Sequence, residues 1–301
     1  MKLQLILDFL SPTESIVTKS DIEISFKSIE DAGFDANSIG WCSDKNLGLL
    51  SSIKCGTIIL SKKGNEFCKL NSLIGFNQII VDHPRKVFAS ILNNFFIKEE
   101  TFSFISPSAY ISDSVHFDFN EVNISHNVVI EDDVVLGNKV IIGANTVIKS
   151  GTIIKDNVKI GSNCTVGGVG FGYEPNEEGN FELIPHIGNV ILEDNVEIGN
   201  NFCIDRAVLG STRLSKNVKV DNLVHIAHGV QIGQNSLIIA NSMIAGSVKI
   251  GQNVWVSPSS SIIQKVKIED DSIIGMGSVV LKNVNKGEVV AGVPSKLIRK
   301  K

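Results

Sequence analysis

The chain has 301 residues, enough for two domains, and it is 43% hydrophobic but only 6% aromatic. Its formal net charge of −4 offers no basic surface for nucleic acid or for an anionic membrane. The five cysteines form no C-x-x-C pair, which favours free thiols in a reducing compartment, here the cytoplasm. Asp8 interrupts the short apolar run at the N-terminus, so no signal peptide is predicted. No apolar run approaches the roughly 20 residues of a membrane span.

Residues 1–100 carry no long-range period and are predicted to form a small α+β domain. Three strand-like runs alternate with turns, at residues 22–26, 57–60 and 78–81. A helical pattern follows from about Pro84 to Phe96, with its apolar residues on one face. The next residues, 97–106, are predicted to be a linker to a second domain.

From residue 101 onward the dominant signal is an aliphatic residue at every sixth position. The longest block has one in step at Leu214, Val220, Ile226, Ile232, Ile238, Ile244, Ile250, Val256, Ile262, Ile268, Ile274 and Val280. A helix repeats about every 3.6 residues and a strand about every 2, so neither explains this spacing. The spacing is typical of a hexapeptide β-helix, in which each hexad supplies a short strand and a turn. We therefore predict a mainly β chain, with a left-handed parallel β-helix over 101–281 and a short C-terminal tail over 282–301.

An earlier block of the same period runs from 130 to 166, and the pattern breaks over 167–188. A glycine often follows the aliphatic residue, as at Gly233, Gly251 and Gly275, where we expect tight corners. Three hexads close one triangular coil, so residues three hexads apart stack at about 4.8 Å. Sister chains usually cover the flat, strand-lined sides of such a coil, which predicts a homotrimer with sites between subunits.

Two of the six histidines, His225 and His228, fall in one hexad of the long block and point outward. Gly246 lies three hexads, or one coil, beyond His228, and a glycine there leaves its backbone N–H open to a ligand. An imidazole that accepts a proton, beside an N–H that holds a developing oxyanion, suits acyl transfer. A corner histidine on a repeat surface is also commonly just solvated, so the pattern alone leaves both interpretations open.

The block from 170 to 233 resembles the UDP-3-O-(3-hydroxyacyl)glucosamine N-acyltransferases of the lipid A pathway. The matching segments are GFGY at 170–173, IPHIGNVILEDNVEIG at 184–199, IDRAVLGST at 204–212, VDNLVHIAHGVQIG at 220–233 and AGSVKIG at 245–251. Three segments of the first domain resemble that family's uridine-binding domain: GWCSDKN at 40–46, KCGTIILSK at 54–62 and NQIIVDHPRKVFASIL at 77–92. The resemblance therefore covers most of the chain in order.

The resemblance implies an N-acyltransferase that moves an acyl group from a thioester donor to the amine of a nucleotide-linked amino sugar. In that scheme His228 is the general base and Gly246 donates to the oxyanion. The residues implied to contact the acceptor are Trp41, Asp44, Phe171, Tyr173, His186, Asp221, Asn222 and His225. The residues implied to contact the donor are Gly246, Ser247, Lys265, Lys282 and Arg299. The 167–188 loop is expected to reach a neighbouring subunit's cleft, and neither a metal nor a tightly bound cofactor is implied.

Several positions depart from the family pattern. Trp41 fills one place of the aromatic pair expected around uracil, but Leu47 stands where the other, a tyrosine, would be. Asp44 replaces an asparagine, and Lys265 aligns with a second family histidine. The resemblance is therefore weakest at the nucleotide base and at one histidine position.

The C-terminal sequence AGVPSKLIRKK instead resembles the close of coenzyme A-dependent sugar acetyltransferases of the same repeat class. In those enzymes the last turns line the pantetheine groove. On this basis acyl-coenzyme A is the favoured donor, and a lipopolysaccharide or O-antigen-type glycan is the favoured destination. The alternative is a UDP-3-O-(3-hydroxyacyl)glucosamine N-acyltransferase of lipid A synthesis that uses acyl carrier protein.

Two other classes of protein stay open. A metal-dependent hydratase would use His186, His225 and His228 as zinc ligands, although their spacing differs from that of the repeat-class hydratases. A structural or sensor protein would use the repeat without catalysis, but a pure scaffold has no need of the first domain. The IDRA and IAHG segments fit neither class.

Overall fold

The computed structural model of the chain describes residues 1–10, 14–17, 20–97 and 102–300. The chain divides into two compact units, Met1–Glu100 and Thr101–Lys301, each with its own hydrophobic core. Part of the predicted linker, 98–101, and Lys301 of the basic C-terminus lie outside the described residues. Over the described ranges, no helix is both long and apolar enough to cross a bilayer.

The first unit is a five-stranded sheet packed against three helices. Its strands are β1 (Glu14–Ile16), β2 (Ser25–Phe26), β3 (Ser38–Trp41), β4 (Thr57–Leu60) and β5 (Asn77–Ile80). Its helices are α1 (Leu3–Leu10), α2 (Lys62–Leu70) and α3 (Pro84–Phe96), with a 3₁₀ turn at Leu47–Ser52. The sheet order is β1-β5-β4-β3-β2, with β1 antiparallel and the others parallel. The helix predicted from about Pro84 to Phe96 is confirmed as α3.

Strand β4 is buried on both faces, and the two faces belong to different cores. Ile59 packs with Ile39 and Ile79 in the core that α1 and α3 cover. Ile58 packs with Leu50 in the core on the other side. Side chains alternate across a strand, so a continuous apolar run is what a parallel strand covered on both faces requires.

The second unit is a parallel β-helix whose three faces are stacked sheets. Face 1 contains Tyr110–Ile111, Val129–Ile130, Val147–Ile148, Thr165–Gly168, Cys203–Asp205, His225–Ile226, Met243–Ile244, Ser261–Ile262 and Val279–Val280. Face 2 contains Phe104–Ile105, Val122–Ile124, Val140–Ile142, Lys159–Ile160, Glu197–Ile198, Lys219–Val220, Leu237–Ile238, Trp255–Val256, Ile273–Ile274, Glu288–Ala291 and Lys296–Lys300. Face 3 contains Val135–Leu136, Ile153–Ile154, Asn189–Leu192, Ser211–Leu214, Gln231–Ile232, Lys249–Ile250 and Lys267–Ile268. The predicted fold class, mainly β with a left-handed parallel β-helix, is confirmed.

Two inward columns of side chains fill the prism. The period-six aliphatics between 214 and 280 are all buried, and so are residues two positions earlier, such as Val218, Val224 and Ser236. The strand register pairs residues one coil apart, as with Ile226 and Ile244. Each coil therefore buries its aliphatic side chains against the coils above and below it.

The corners differ from the sequence expectation. The residue three positions before the inward aliphatic has a left-handed backbone conformation. It is most often an asparagine, as at Asn145 (φ 60°) and Asn163 (φ 58°). Asparagine tolerates this conformation, and Asn145 Nδ2 also donates to Asn163 Oδ1 at 3.2 Å. Gly233 and Gly251 are not left-handed; a Cβ at residue 233 would lie 2.5 Å from the Gly251 carbonyl carbon. The interpretation of Gly233, Gly251 and Gly275 as tight-corner residues is wrong, because these glycines instead permit close approach of adjacent coils.

Residues 167–188 leave the coil as an insertion. It contains an antiparallel hairpin in which Tyr173–Pro175 pairs with Phe181–Leu183. Arg206 holds its first end, since Nε donates to Gly167 O at 2.8 Å and Nη2 donates to Ser150 O at 3.0 Å. The break in the six-residue period therefore marks a loop rooted in the wall of the coil.

The residues from 282, predicted to be a short C-terminal tail, add two strands to face 2. Glu288–Ala291 pairs in parallel with Ile273–Ile274. Lys296–Lys300 then folds back against it as an antiparallel strand. The backbone hydrogen bonds of these strands cover the last coil of the face.

Candidate active site

His228 lies at a corner of face 1, two residues after the end of the strand His225–Ile226. The next residue, Gly229, has φ +70°, and its N–H donates to Thr212 Oγ1 at 2.8 Å. This bond fixes the turn behind the imidazole. The ring is half-buried and directed along the coil stack toward Gly246.

Gly246 lies one coil beyond His228, and the imidazole covers it. A Cβ at residue 246 would lie 2.7 Å from His228 Nε2 and 2.8 Å from its Cε1, so only glycine fits unless the ring moves. The Gly246 carbonyl accepts from Lys265 N at 3.0 Å, and Ser247 N donates to His228 O at 2.9 Å. Among the described residues no acceptor takes the Gly246 N–H. A ring nitrogen and an unused backbone donor therefore lie side by side.

The insertion covers another side of the His228 side chain with Gly170 and His186. A Cβ at residue 170 would lie 2.9 Å from His228 Cβ and 2.7 Å from His186 Nε2. The two imidazoles meet edge to face, with ring centroids 5.3 Å apart and planes at 79°. His186 Nδ1 lies 2.7 Å from Ile184 O, a carbonyl that can only accept, so Nδ1 carries a proton. His186 Nε2 is buried and has no hydrogen-bond partner within the described part of the chain.

Burial and the neighbouring imidazole favour the uncharged form of His228. Loss of contact with water lowers the pKa of His228, and the positive charge of a protonated His186 lowers it further. The neutral imidazole is the form that accepts a proton. At neutral pH the ring is therefore ready to act as a base.

Asp205 brings a carboxylate to the same place. It ends the strand Cys203–Asp205, exposes 14% of its side chain, and has Oδ2 3.6 Å from His225 Nε2. Burial raises the pKa of Asp205, and the charges of His225 and His186 oppose that rise. The distance to His225 is longer than a hydrogen bond.

These groups surround one cavity of about 780 Å³. The insertion gives it an aromatic wall, where the rings of Phe171 and Tyr173 lie 4.9 Å apart and Phe171 is 87% exposed. The coils give it a polar wall, with Ser247 and Lys265 beside Gly246. The predicted site residues that meet here are Phe171, Tyr173, His186, His225, His228, Gly246, Ser247 and Lys265.

Other predicted residues of the β-helix lie outside this cavity. Asp221 lines a separate groove on face 2, and its Oδ1 accepts from Asn222 N at 2.7 Å. Asn222 Oδ1 in turn accepts from Asn200 N at 2.7 Å. Lys282 and Arg299 are exposed, away from the cavity lining. Within one chain, Asp221 and Asn222 therefore cap a corner of the coil instead of facing His228.

In the first unit, Trp41 and Asp44 line a cleft of about 760 Å³. The first turn of α3 adds Arg85 and Lys86 to its wall, and a helix N-terminus favours anions. Leu47 is 8% exposed and packs in the core, so it offers the cleft no second flat surface.

Sequence reasoning did not single out Asp205 or Gln264, which both line the His228 cavity. The signal for Gln264 was available, because it lies three hexads beyond Gly246 and so one coil further along the same corner. Asp205 stands in the IDRA segment, but its burial depends on the insertion, whose path the six-residue period does not predict.

The described ranges contain no group of three His, Cys, Asp or Glu side chains arranged to hold a metal ion.

Family models match the repeat. The model of the bacterial transferase hexapeptide (six repeats) matches residues 133–168 and 247–282. The model of the hexapeptide repeat of succinyl-transferase matches residues 229–257.

Curated relatives match longer stretches of the chain. The UDP-3-O-acylglucosamine N-acyltransferase of Campylobacter lari is 45% identical over 238 residues, which cover 75% of this chain and 72% of that protein. The UDP-3-O-acylglucosamine N-acyltransferase of Anaeromyxobacter dehalogenans is 48% identical over 87 residues, which cover 27% of this chain and 25% of that protein. The chain spans about a quarter of the length of this and several other curated relatives that it matches.

A solved structure shares the fold. The UDP-N-acetylglucosamine acyltransferase of Francisella novicida is 21% identical, with a TM-score of 0.61, over 66% of this chain and 71% of that one. At that identity the likeness shows the fold alone.

Proposed function

This chain belongs to the UDP-3-O-acylglucosamine N-acyltransferase family, and from that membership we propose that it transfers an acyl group from a thioester to the amine of a nucleotide-linked amino sugar. The observation that carries the proposal is the contact of the His228 ring with Gly246, whose N–H no described residue accepts. Acyl transfer needs a proton acceptor and an oxyanion donor within reach of one carbonyl carbon, and this pair supplies both.

The reaction runs through a tetrahedral intermediate. The amine nitrogen attacks the thioester carbonyl carbon, a C–N bond forms, and the carbonyl oxygen becomes an oxyanion held by the Gly246 N–H. His228 takes a proton from the nitrogen. When the intermediate collapses, the C–S bond breaks and His228 returns that proton to the thiolate sulfur. His228 thus begins and ends neutral, in keeping with its lowered pKa.

For the acceptor we propose UDP-3-O-acylglucosamine, the sugar in the names of the relatives. The O-antigen-type acceptor favoured from the C-terminal sequence has no support among these relatives. In the first unit, Trp41 offers a flat face for a base, and Arg85 and Lys86 offer positive charge for phosphates. In the second unit, Phe171 and Tyr173 offer an apolar surface for an acyl chain.

For the donor we propose an acyl-acyl carrier protein, which goes with this acceptor, in place of acyl-coenzyme A. We also propose that the chain acts as a homotrimer. Large apolar side chains stay exposed on the single chain, including Trp255 on face 2 (45%) and Phe181 on the hairpin (75%). Apolar surface of this kind is usually covered by another protein surface, and a closed ring of β-helices would cover it.

The test supplies both acceptors and both donors to the purified chain. UDP-3-O-acylglucosamine and, for the O-antigen-type alternative, a UDP-linked amino sugar without an O-acyl chain are each incubated with acyl-acyl carrier protein and with acyl-coenzyme A of equal chain length. Products are identified by mass spectrometry. We expect N-acylated UDP-3-O-acylglucosamine from the carrier-protein donor. His228→Gln should lower the rate roughly 10²- to 10⁴-fold, since that is the usual contribution of a positioned base. The matched control is His116→Gln, at an exposed histidine of an early coil, which should keep the wild-type rate.

Each failure has a separate meaning. Product from acyl-coenzyme A alone would overturn the proposed donor. A His228→Gln variant as fast as the wild type would overturn the proposed base. No N-acylated product from any combination would overturn the function itself.

A further inference from the structure

The His228 cavity holds a second acid–base group that the scheme above does not use. Asp205 exposes 14% of its side chain, and the atom of His225 nearest to it, Nε2, lies 3.6 Å from Oδ2. Across the described residues, no N–H or O–H group donates a hydrogen bond to this carboxylate. Its oxygens therefore keep their accepting capacity for something that enters the cavity.

Two other half-buried carboxylates of the β-helix, Glu131 and Glu193, are paired. Glu131 accepts from Lys149 Nζ at 2.6 Å and from Ser150 Oγ at 3.1 Å. Glu193 accepts from Arg213 Nη1 at 2.7 Å. A carboxylate taken out of water without such partners is unfavourable. Asp205 has the His225 imidazole 3.6 Å away but, within the described residues, no hydrogen-bond donor until one enters the cavity.

The proposed reaction requires a second proton acceptor. An amine that arrives as an ammonium ion has no lone pair, so it must lose one proton before it attacks. It loses another from the tetrahedral intermediate. His228 accounts for the later proton, which it passes to the thiolate, and the earlier proton needs a different destination.

Resting on the proposed function, we propose that Asp205 binds the ammonium group of the acceptor sugar and that the Asp205–His225 pair takes its first proton. An ammonium N–H donates to the Asp205 carboxylate, that N–H bond breaks, and its electron pair stays on nitrogen as the attacking lone pair. The proton passes from the pair to water through His225, which is 45% exposed. The remaining titratable side chains around the cavity are Tyr173, Glu174, His228 and Lys265, with His186 against His228.

The experiment measures binding without a donor, so that it does not depend on turnover. The probes are UDP-3-O-acylglucosamine, which carries the free amine, and its N-acetyl derivative, which is neutral at that nitrogen. By calorimetry below the pKa of the amine, the wild type should bind the amine at least about tenfold more tightly, as expected for a hydrogen bond to a charged group. Asp205→Asn should remove this preference and leave the affinity for the neutral derivative unchanged. Asp113→Asn, at an exposed carboxylate of an early coil, is the matched control and should keep the preference.

An Asp205→Asn variant that keeps the wild-type ratio of affinities would overturn this inference and leave the proposed function intact. If the wild type binds neither probe, the proposed function falls and this inference falls with it. If Asp205→Asn folds poorly, the affinities of the wild type for the amine and for its N-acetyl derivative are measured across a pH series instead. If the ammonium form binds, the preference for the amine falls as pH rises through the pKa of the amine. A preference that stays constant or rises overturns the proposal.

Discussion

The stacked coils and the insertion contribute different kinds of residue to the same cavity. The coils supply His228 and Gly246 from positions that the strand register fixes. The insertion supplies His186 and aromatic side chains from a hairpin whose Phe181 is 75% exposed. The coil thus sets where the reacting groups lie, and the insertion sets how dry and how charged their surroundings are. Rigidity and environment come from separate parts of the chain.

The largest expected effect is on the free energy of unfolding, which we compare between a variant of the coil and a variant of the insertion. Ile142 is fully buried in an inward column, so Ile142→Ala should lower the free energy of unfolding by about 2–5 kcal/mol. Glu177→Ala, at the exposed tip of the hairpin, is the contrasting change and should alter it by less than about 0.5 kcal/mol. Denaturant unfolding of both variants measures the difference. Equal losses would mean that the hairpin is part of the structural core.

The next effect concerns a coil residue that acts on chemistry instead of stability. In Gly246→Ala the new Cβ would lie 2.7 Å from His228 Nε2, which displaces the ring and covers the N–H. We expect the rate to fall roughly 10²- to 10³-fold, the usual effect of losing an oxyanion donor. Initial rates with saturating acceptor measure this. Gly48→Ala, where a Cβ meets nothing within 4 Å, is the control and should be unaffected. An active Gly246→Ala enzyme would contradict the proposed oxyanion donor.

The architecture of the coil was predictable because its energetics are periodic. Burial at every sixth position placed Ile226 and Ile244 in one column, and counting three hexads placed Gly246 over His228. The same count did not explain the glycines. Gly233 follows an inward residue because the next coil leaves no room for a Cβ, a constraint between coils that one strand of sequence does not reveal.

The rest of the site was not predictable from periodicity, since it depends on the path of the insertion. His186 became a candidate only through family resemblance, and its contact with His228 arises where the loop folds back. Asp205 is mostly buried for the same reason. Asp221 and Asn222 were assigned to the acceptor by resemblance, yet within one chain they line a different corner. Their role stays a prediction that depends on the proposed trimer.

A smaller effect tests the environment that the insertion provides. Burial lowers the pKa of His228 most, and His186 lowers it further. The base works when neutral, so the rate falls as pH drops through the pKa of His228. His186→Gln removes a positive charge, which raises that pKa and moves the acid limb of the rate profile to higher pH. The profile of kcat against pH measures this, with His116→Gln as the control. A limb that stays in place or moves to lower pH would contradict the electrostatic role of His186.

The smallest expected effect is on the stability of the coil. It concerns a corner where leucine, instead of asparagine, has a left-handed backbone. Leu223 has φ +60° and is 59% exposed, whereas Asn241, at the same corner one coil later, has the same φ. A leucine is strained in this conformation and an asparagine is not, so Leu223→Asn should raise the free energy of unfolding by about 1 kcal/mol. Asn241→Leu is the matched reverse change and should lower it, also because Asn241 Nδ2 donates to Ser259 Oγ.

Thermal unfolding of the Leu223 and Asn241 variants gives the sign directly. If both changes shift stability in the same direction, backbone strain is not what distinguishes the two corners. If Leu223→Asn is more stable but slower in turnover, the exposed leucine has a use that outweighs its strain. Leu223 stands two residues before His225 and is exposed on the single chain, so such a loss of rate would point to a contact of this leucine with a second chain of the proposed trimer. The coil would then contribute a residue whose role depends on a second chain, whereas the insertion acts on the His228 of its own chain.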